Sequence, residues 1–286
     1  MRTLLLSAAF CLLSVSATQA APALWEISDA DSKVTLFGSV HVLPEGKQWR
    51  TPAFDTALAG ADKVYFEADI GFFNQLYMAF QLVTGAFNTT GERWQDNLSP
   101  DEAGAVGAAI EPLGMTLEQA QTYRPWFISM MIEGQSVNAG GAQLGSGVEM
   151  TVQREVPRER RGYLETAAQQ IAIISNMPDD LQLQFLVQTA VESAPSGTGL
   201  DEIVAAWESG DDQALLELLG DDAQLGDAAA MQLVLFDRNA NWIPAIEAML
   251  AANENDLIIV GAAHLVGDKG VVELLRAKGY SIHRVQ

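Results

Sequence analysis

The sequence predicts an α/β protein: a small central, mostly parallel sheet built from both chain ends, with a large helical insertion over about residues 72–250. Three observations lead there. Short runs rich in β-branched and aromatic residues cluster near the ends, at Leu24–Ser28, Lys33–Val40 and Lys63–Ile70, and again at Leu257–Val260 and Tyr280–Val285. Between them, capping signals and helical spacing dominate from Phe72 to Leu250. Finally, Leu257–Val260, Gly270–Lys278 and Tyr280–Val285 read as strand, helix and strand, and such a crossover within one sheet makes its two strands parallel.

Taken in order, the chain opens with Arg2, an apolar run Leu4–Val15 and the small-residue site Thr18-Gln19-Ala20. That pattern is a signal peptide over residues 1–20, which leaves 21–286 as a single domain. The run is too short for a comfortable membrane span, and no other is expected in the mature chain. Cys11 leaves with it, so the exported protein, periplasmic or secreted, has no disulfide and relies on packing. Leu24–Ser28 and Lys33–Val40 pair around Asp29-Ala30-Asp31, and His41 opens the loop that follows. Thr51 caps a helix from Pro52. Lys63–Ile70 ends in Glu67 and Asp69, which alternation places on one face of the strand.

In the middle, Ser99-Pro-Asp-Glu102 is a capping box with proline at the first helical position, and Thr116–Gln119 is a plainer helix start. The glycine-rich Gly134–Gly147 reads as a loop, either a mobile segment over a site or a connection. Arg154–Arg161 reads as a solvated helix end, and a short extended piece from Gly162 gives way to a helix after Thr166. Pro178–Val191, Asp201–Gly210 and Asp211–Leu219 follow as helices. Met231–Ala251 is a long amphipathic helix expected to break near Pro244. Trp94, Trp126, Trp207 and Trp242 read as packing residues.

Composition narrows the function. Sixteen basic against thirty-seven acidic side chains give a net charge of −21. Such a surface repels a nucleic-acid duplex or an anionic membrane and favours cations or basic peptides, with solubility explaining it equally well; the expected partner is a peptide or small-molecule substrate. No Gly-x-Ser-x-Gly elbow is present, and the one cysteine lies in the signal segment.

The chain has three histidines, and two share one setting: Gly38-Ser-Val-His41 and Gly261-Ala-Ala-His264 each follow a strand. Loops at the carboxyl ends of parallel strands are where α/β proteins hold ligands. His41, His264 and a carboxylate from Glu67 or Asp69 can converge there. Two imidazoles and a carboxylate suit a divalent transition metal with open positions, and such a metal lowers the pKa of water from about 16 to about 7.

Beyond chemistry, Leu36-Phe-Gly-Ser-Val-His-Val-Leu-Pro44, Gly162-Tyr-Leu-Glu-Thr166 with Gln170, Arg238-Asn239 and Gly261-Ala-Ala-His-Leu-Val-Gly267 resemble the TraB/GumN family, which includes the Tiki metalloproteases of the erythromycin-esterase/ChaN-like superfamily. The resemblance runs from about Leu24 to Val285. It implies a metal-dependent peptidase using manganese- or cobalt-like ions, with His41, Glu67 and His264 as ligands; among divalent transition metals Mn, Co and Zn all stay open. It also places Glu67, Glu165 and Arg238 in the catalytic machinery: a carboxylate as base, Glu165 alternatively as second ligand or as orienter of a histidine, and Arg238 paired with a carboxylate or with substrate. Gly147-Val-Glu149 departs from the family's Gly-x-Asp, which leaves the role of Glu149 open. Two rivals share the same cleft: a non-catalytic metal-, haem- or peptide-binding protein, and an esterase.

Overall fold

The computed structural model describes residues 20–28, 32–44, 46–69, 71–139, 146–193, 200–220 and 228–286. The segment read as a signal peptide, up to Gln19 with Cys11, the expected turn Asp29-Ala30-Asp31, and residues 140–145 of the glycine-rich stretch lie outside the described residues.

The strands are β1 (Leu24–Ser28), β2 (Lys33–Ser39), β3 (Lys63–Phe66), β4 (Arg161–Tyr163), β5 (Asn255–Gly261) and β6 (Ser281–Arg284). They form one sheet in the order β4-β3-β5-β2-β1-β6. β4, β3, β5 and β2 pair in parallel, while β1 runs antiparallel to both β2 and β6. β6 therefore points the same way as β5, as the strand–helix–strand reading requires, with β2 and β1 standing between them. The α/β architecture is as expected, and β4 shows that the helical middle also contributes an edge strand.

The helices are α1 (Pro52–Gly60), α2 (Phe72–Gly85), α3 (Pro100–Ile110), α4 (Leu117–Ala120), α5 (Pro125–Ala139), α6 (Val148–Glu155), α7 (Ala167–Ser175), α8 (Asp179–Glu192), α9 (Leu200–Ser209), α10 (Asp212–Gly220), α11 (Ala228–Met231), α12 (Asp237–Ala251) and α13 (Val271–Ala277). Their starts are written in the sequence. The Thr51 hydroxyl accepts from Phe54 N, and Ser99/Glu102, Thr116/Gln119 and Thr166/Gln169 each close a full capping box. Each satisfies backbone donors that a helix end leaves open.

The run Leu257-Ile-Ile-Val260 is buried throughout because β5 lies between β3 and β2 and is covered on both faces. Leu257 and Ile259 pack with Phe37, Phe54, Phe66 and Trp207 on one face. Ile258 and Val260 pack with Trp242, Ile246, Val271 and Leu275 on the other. Complete burial of such a side chain contributes about 1.5–3 kcal/mol. A separate core joins Val106 and Ile110 of α3, Ile128 and Ile132 of α5, and Leu186 and Ala190 of α8. The four tryptophans singled out from sequence are all buried.

Four expectations change. α5 runs straight through Gly134 to Ala139, so the loop-like composition hides a helix whose other face is carried by Ile128 and Ile132. The strand expected to reach Ile70 ends at Phe66, so alternation does not govern Glu67 and Asp69; Asp69 Oδ1 instead accepts from Gly71 N at 2.8 Å in a turn. Pro244 sits inside α12 without ending it, and the irregularity lies upstream as a π-helical turn over Gln232–Phe236. The basic stretch is only partly solvated: Arg154 and Arg158 are exposed, whereas Arg160 Nη2 donates to the carbonyls of Leu58 in α1 and Ala61 just past it, and Arg161 Nε to Val156 O.

Candidate metal centre

Because β2, β3, β4 and β5 are parallel, their carboxyl ends lie along one edge, and each delivers a polar group there. The end of β2 places Ser39 opposite Gly261 and leads to His41. Past β3 comes Glu67. The β3–β4 pairing continues as Leu164 N to Phe66 O and Glu165 N to Glu67 O, which sets Glu165 beside Glu67. β5 ends at Gly261 and passes into the short turn Ala262–His264.

Two glycines make the approach possible. A Cβ on Gly261 would lie 3.3 Å from Glu67 Oε1, 3.4 Å from His41 Nε2 and 3.6 Å from His264 Cδ2. The missing side chain thus leaves a cradle bordered by all three groups. A Cβ on Gly147 would overlap the His41 carbonyl; without one, α6 begins against that loop, with Val148 N donating to Val40 O at 3.1 Å. This contact carries Glu149 to the site. Its Oε1 accepts from Ser39 Oγ at 2.7 Å, and its Oε2 lies 3.3 Å from His41 Nδ1.

Glu67 is the hub. Its Oε1 accepts from Gly261 N at 2.8 Å and lies 3.7 Å from His264 Nε2. Its Oε2 accepts from Arg238 Nη2 at 2.5 Å and Gln170 Nε2 at 3.2 Å. Burial opposes its ionisation, but the His264 and His41 imidazoles, Arg238 and the Gly261 N–H overcome it, so its pKa is lowered to about 2. Arg238 also reaches Glu165 through Nε at 3.0 Å and Nη2 at 3.1 Å. Glu165 Oε1 accepts from Trp242 Nε1 at 2.8 Å as well. Both Glu165 oxygens are thereby occupied, and the residue fixes Arg238.

The two motif histidines live in opposite surroundings. His264 is 3% exposed; burial lowers its pKa to about 3, and the Arg238 charge works in the same direction. The His41 side chain is 63% exposed, and the Glu149 carboxylate raises its pKa, with solvent screening part of that interaction.

Residues 23–284 match the TraB/PrgY/gumN family. The chain belongs to that family. The metalloprotease TIKI homolog of Amphimedon queenslandica is 34% identical to it over 71 residues, 24% of this chain. That match spans 14% of the relative's length. No solved structure matches.

Of the residues the sequence points to, Glu67, Glu165, Arg238 and His264 meet in one buried network, and His41 borders it across Gly261. Asp69 stays in its turn. Among the described residues, the one group of three His, Cys, Asp or Glu side chains whose ligand atoms all lie within 4.8 Å of one another is His41, Glu67 and Glu149. Glu149 is therefore the main addition to this group; the sequence marks it at the position of the family's Gly-x-Asp but leaves its role open. Ser39, Gln170, Asn239 and Trp242 lie within motifs or helical patterns, with nothing local to reveal their partners. A cleft of about 770 Å³ opens among α2, α3, α5 and α8, lined by Phe87, Trp94, Arg124 and Asp179, and includes none of the site residues.

Proposed function

We propose that this protein is an exported metal-dependent hydrolase, and specifically a peptidase. The observation that carries the reading is that ligand atoms of His41, Glu67 and Glu149 gather within 4.8 Å of one another, two of these residues, His41 and Glu67, also bordering the space over Gly261. Carboxylate oxygens and an imidazole nitrogen are a donor set suited to Mn, Co or Zn. His41, Glu67 and Glu149 would hold the cation, and His264 Nε2, beside Glu67, would join them as a further donor by giving up its hydrogen bond from Arg238. When bound, the cation supplies Lewis acidity and lowers the pKa of water to about 7.

The chain's own groups divide the remaining tasks. Glu67, kept ionised by Arg238 and the Gly261 N–H, is the fixed negative charge rather than a proton carrier. Glu149, hydrogen-bonded to Ser39 and next to the exposed His41, is the carboxylate placed to take a proton from water and return it to a leaving amine. Glu165 keeps Arg238 in place. The TIKI relative, a metalloprotease by name, supports peptide over ester substrates. Arg2, the apolar run and Ala20 support export.

Isothermal titration with Mn²⁺ tests the centre, and turnover of a mixed peptide library tests the reaction. Wild type is expected to bind one ion and cleave peptides. His41→Ala and Glu67→Gln are expected to lose at least about tenfold in affinity. Binding unchanged in both variants would sink the assignment.

A further inference from the structure

His264 sits between two consecutive residues of α12. Arg238 Nη1 lies 3.0 Å from its Nε2, and Asn239 Oδ1 lies 2.6 Å from its Nδ1. A guanidinium has only hydrogens to give, so Nε2 is the acceptor and carries the lone pair. The single proton of the neutral ring is then on Nδ1 and is donated to Asn239 Oδ1. The amide is held the right way round as well, because its Nδ2 donates to Lys269 O at 2.9 Å. Turning it over would set oxygen against oxygen at Lys269 and N–H against N–H at the imidazole. Asn239 is 0% exposed, so water does not replace either partner. The Trp242 ring, 4.4 Å from the imidazole and tilted by 43°, closes one side of the ring's pocket.

We propose that Asn239 is a positioning residue: it fixes His264 as the Nδ1–H tautomer, so that Nε2 carries the lone pair, which accepts from Arg238 beside Glu67. The opposite tautomer would set an Nε2–H against the donors of Arg238 and a lone pair against the Asn239 oxygen. Two neighbours on one helix thereby determine both nitrogens of one ring. Asn239 touches neither substrate nor cation, and its effect passes through His264. The tautomer assignment stands on the hydrogen bonds alone, and only its use in holding a cation rests on the metal-centre reading above.

The test uses the full chain, free of metal and labelled with ¹⁵N-histidine, and reads the ring-nitrogen correlations of His264, assigned by their loss in His264→Gln. Wild type is expected to show the Nδ1–H pattern. Asn239→Asp, which keeps an acceptor, retains it. Asn239→Leu is expected to show the Nε2–H form or a mixture, and to bind Mn²⁺ at least about tenfold more weakly. An Nε2–H pattern in wild type, or an unchanged pattern in Asn239→Leu, overturns the proposal. Should the leucine variant fail to fold, the wild-type spectrum and its retention in the aspartate variant decide. A wild-type Nδ1–H pattern in a protein that binds no Mn²⁺ keeps Asn239 in its role and removes the metal reading instead.

Discussion

The two Gly-x-x-His segments have the same letters at their key positions and end the adjacent parallel strands β2 and β5. Their histidines nevertheless face opposite conditions. His264 is sealed between Arg238, Asn239 and the Trp242 ring, while His41 projects into solvent beside Glu149. The motif delivers an imidazole to the edge of the sheet; what the imidazole does there is decided by helices that arrive from elsewhere in the chain. α12 supplies the surroundings of His264, and α6 supplies those of His41.

The most damaging way to break the contrast is to remove the charge on the buried side. Arg238→Met leaves Glu67 and Glu165 as buried carboxylates without their cation, and is expected to destabilise the protein by about 3–5 kcal/mol. Urea unfolding measures this. A loss below about 1 kcal/mol would mean that the network is not what holds His264 in its setting.

Titration of the two rings sharpens the comparison directly. The folded pKa of His264 lies near 3, below its ordinary 6.5. The unfolded chain therefore takes up that proton first, and stability falls as pH drops from 6.5 toward 3. The folded pKa of His41 is raised, so its contribution is present below pH 6.5 and disappears as pH rises through the raised value. In NMR titrations of the metal-free protein, His264 is expected to remain neutral at about pH 5 and His41 to remain charged at about pH 8. In Glu149→Gln the His41 transition moves back down. Parallel titration of both rings near 6.5 would erase the distinction.

The third histidine provides the baseline. His283 on the edge strand β6 is exposed, and its imidazole meets the Ser281 hydroxyl at 3.0 Å. His283→Ala should change stability by no more than about 0.5 kcal/mol and leave Mn²⁺ binding alone, as calorimetry and the same titration would report.

Much of this arrangement is legible in the sequence because it is local. The β5 run, the capping boxes and the glycine before each motif histidine are patterns a few residues long. The position of Glu149 is not local: it depends on Gly147 lying against the backbone of His41, more than a hundred residues earlier. Asn239 is equally silent, since a buried amide and a surface amide look alike until Lys269 O and His264 are brought to it. Gly134 misleads for the opposite reason. Glycine lowers helix propensity by about 1 kcal/mol, which the packing of α5 against α8 in the separate helical core overcomes.

The π-helical turn over Gln232–Phe236 sets an angular phase. It joins α11, whose Ala230 packs with Met177 and Leu181, to α12, whose Trp242 and Ile246 grip the sheet. One residue in an α-helix is worth about 100° of rotation. The turn holds about one residue more than an α turn, so winding the same residues as regular α-helix would keep α12 docked and swing α11 by roughly that angle, uncoupling the peripheral helices from the sheet while leaving Arg238 and Asn239 at their posts. The wide turn acts as a clutch, one that lets two parts of a continuous rod answer to different cores.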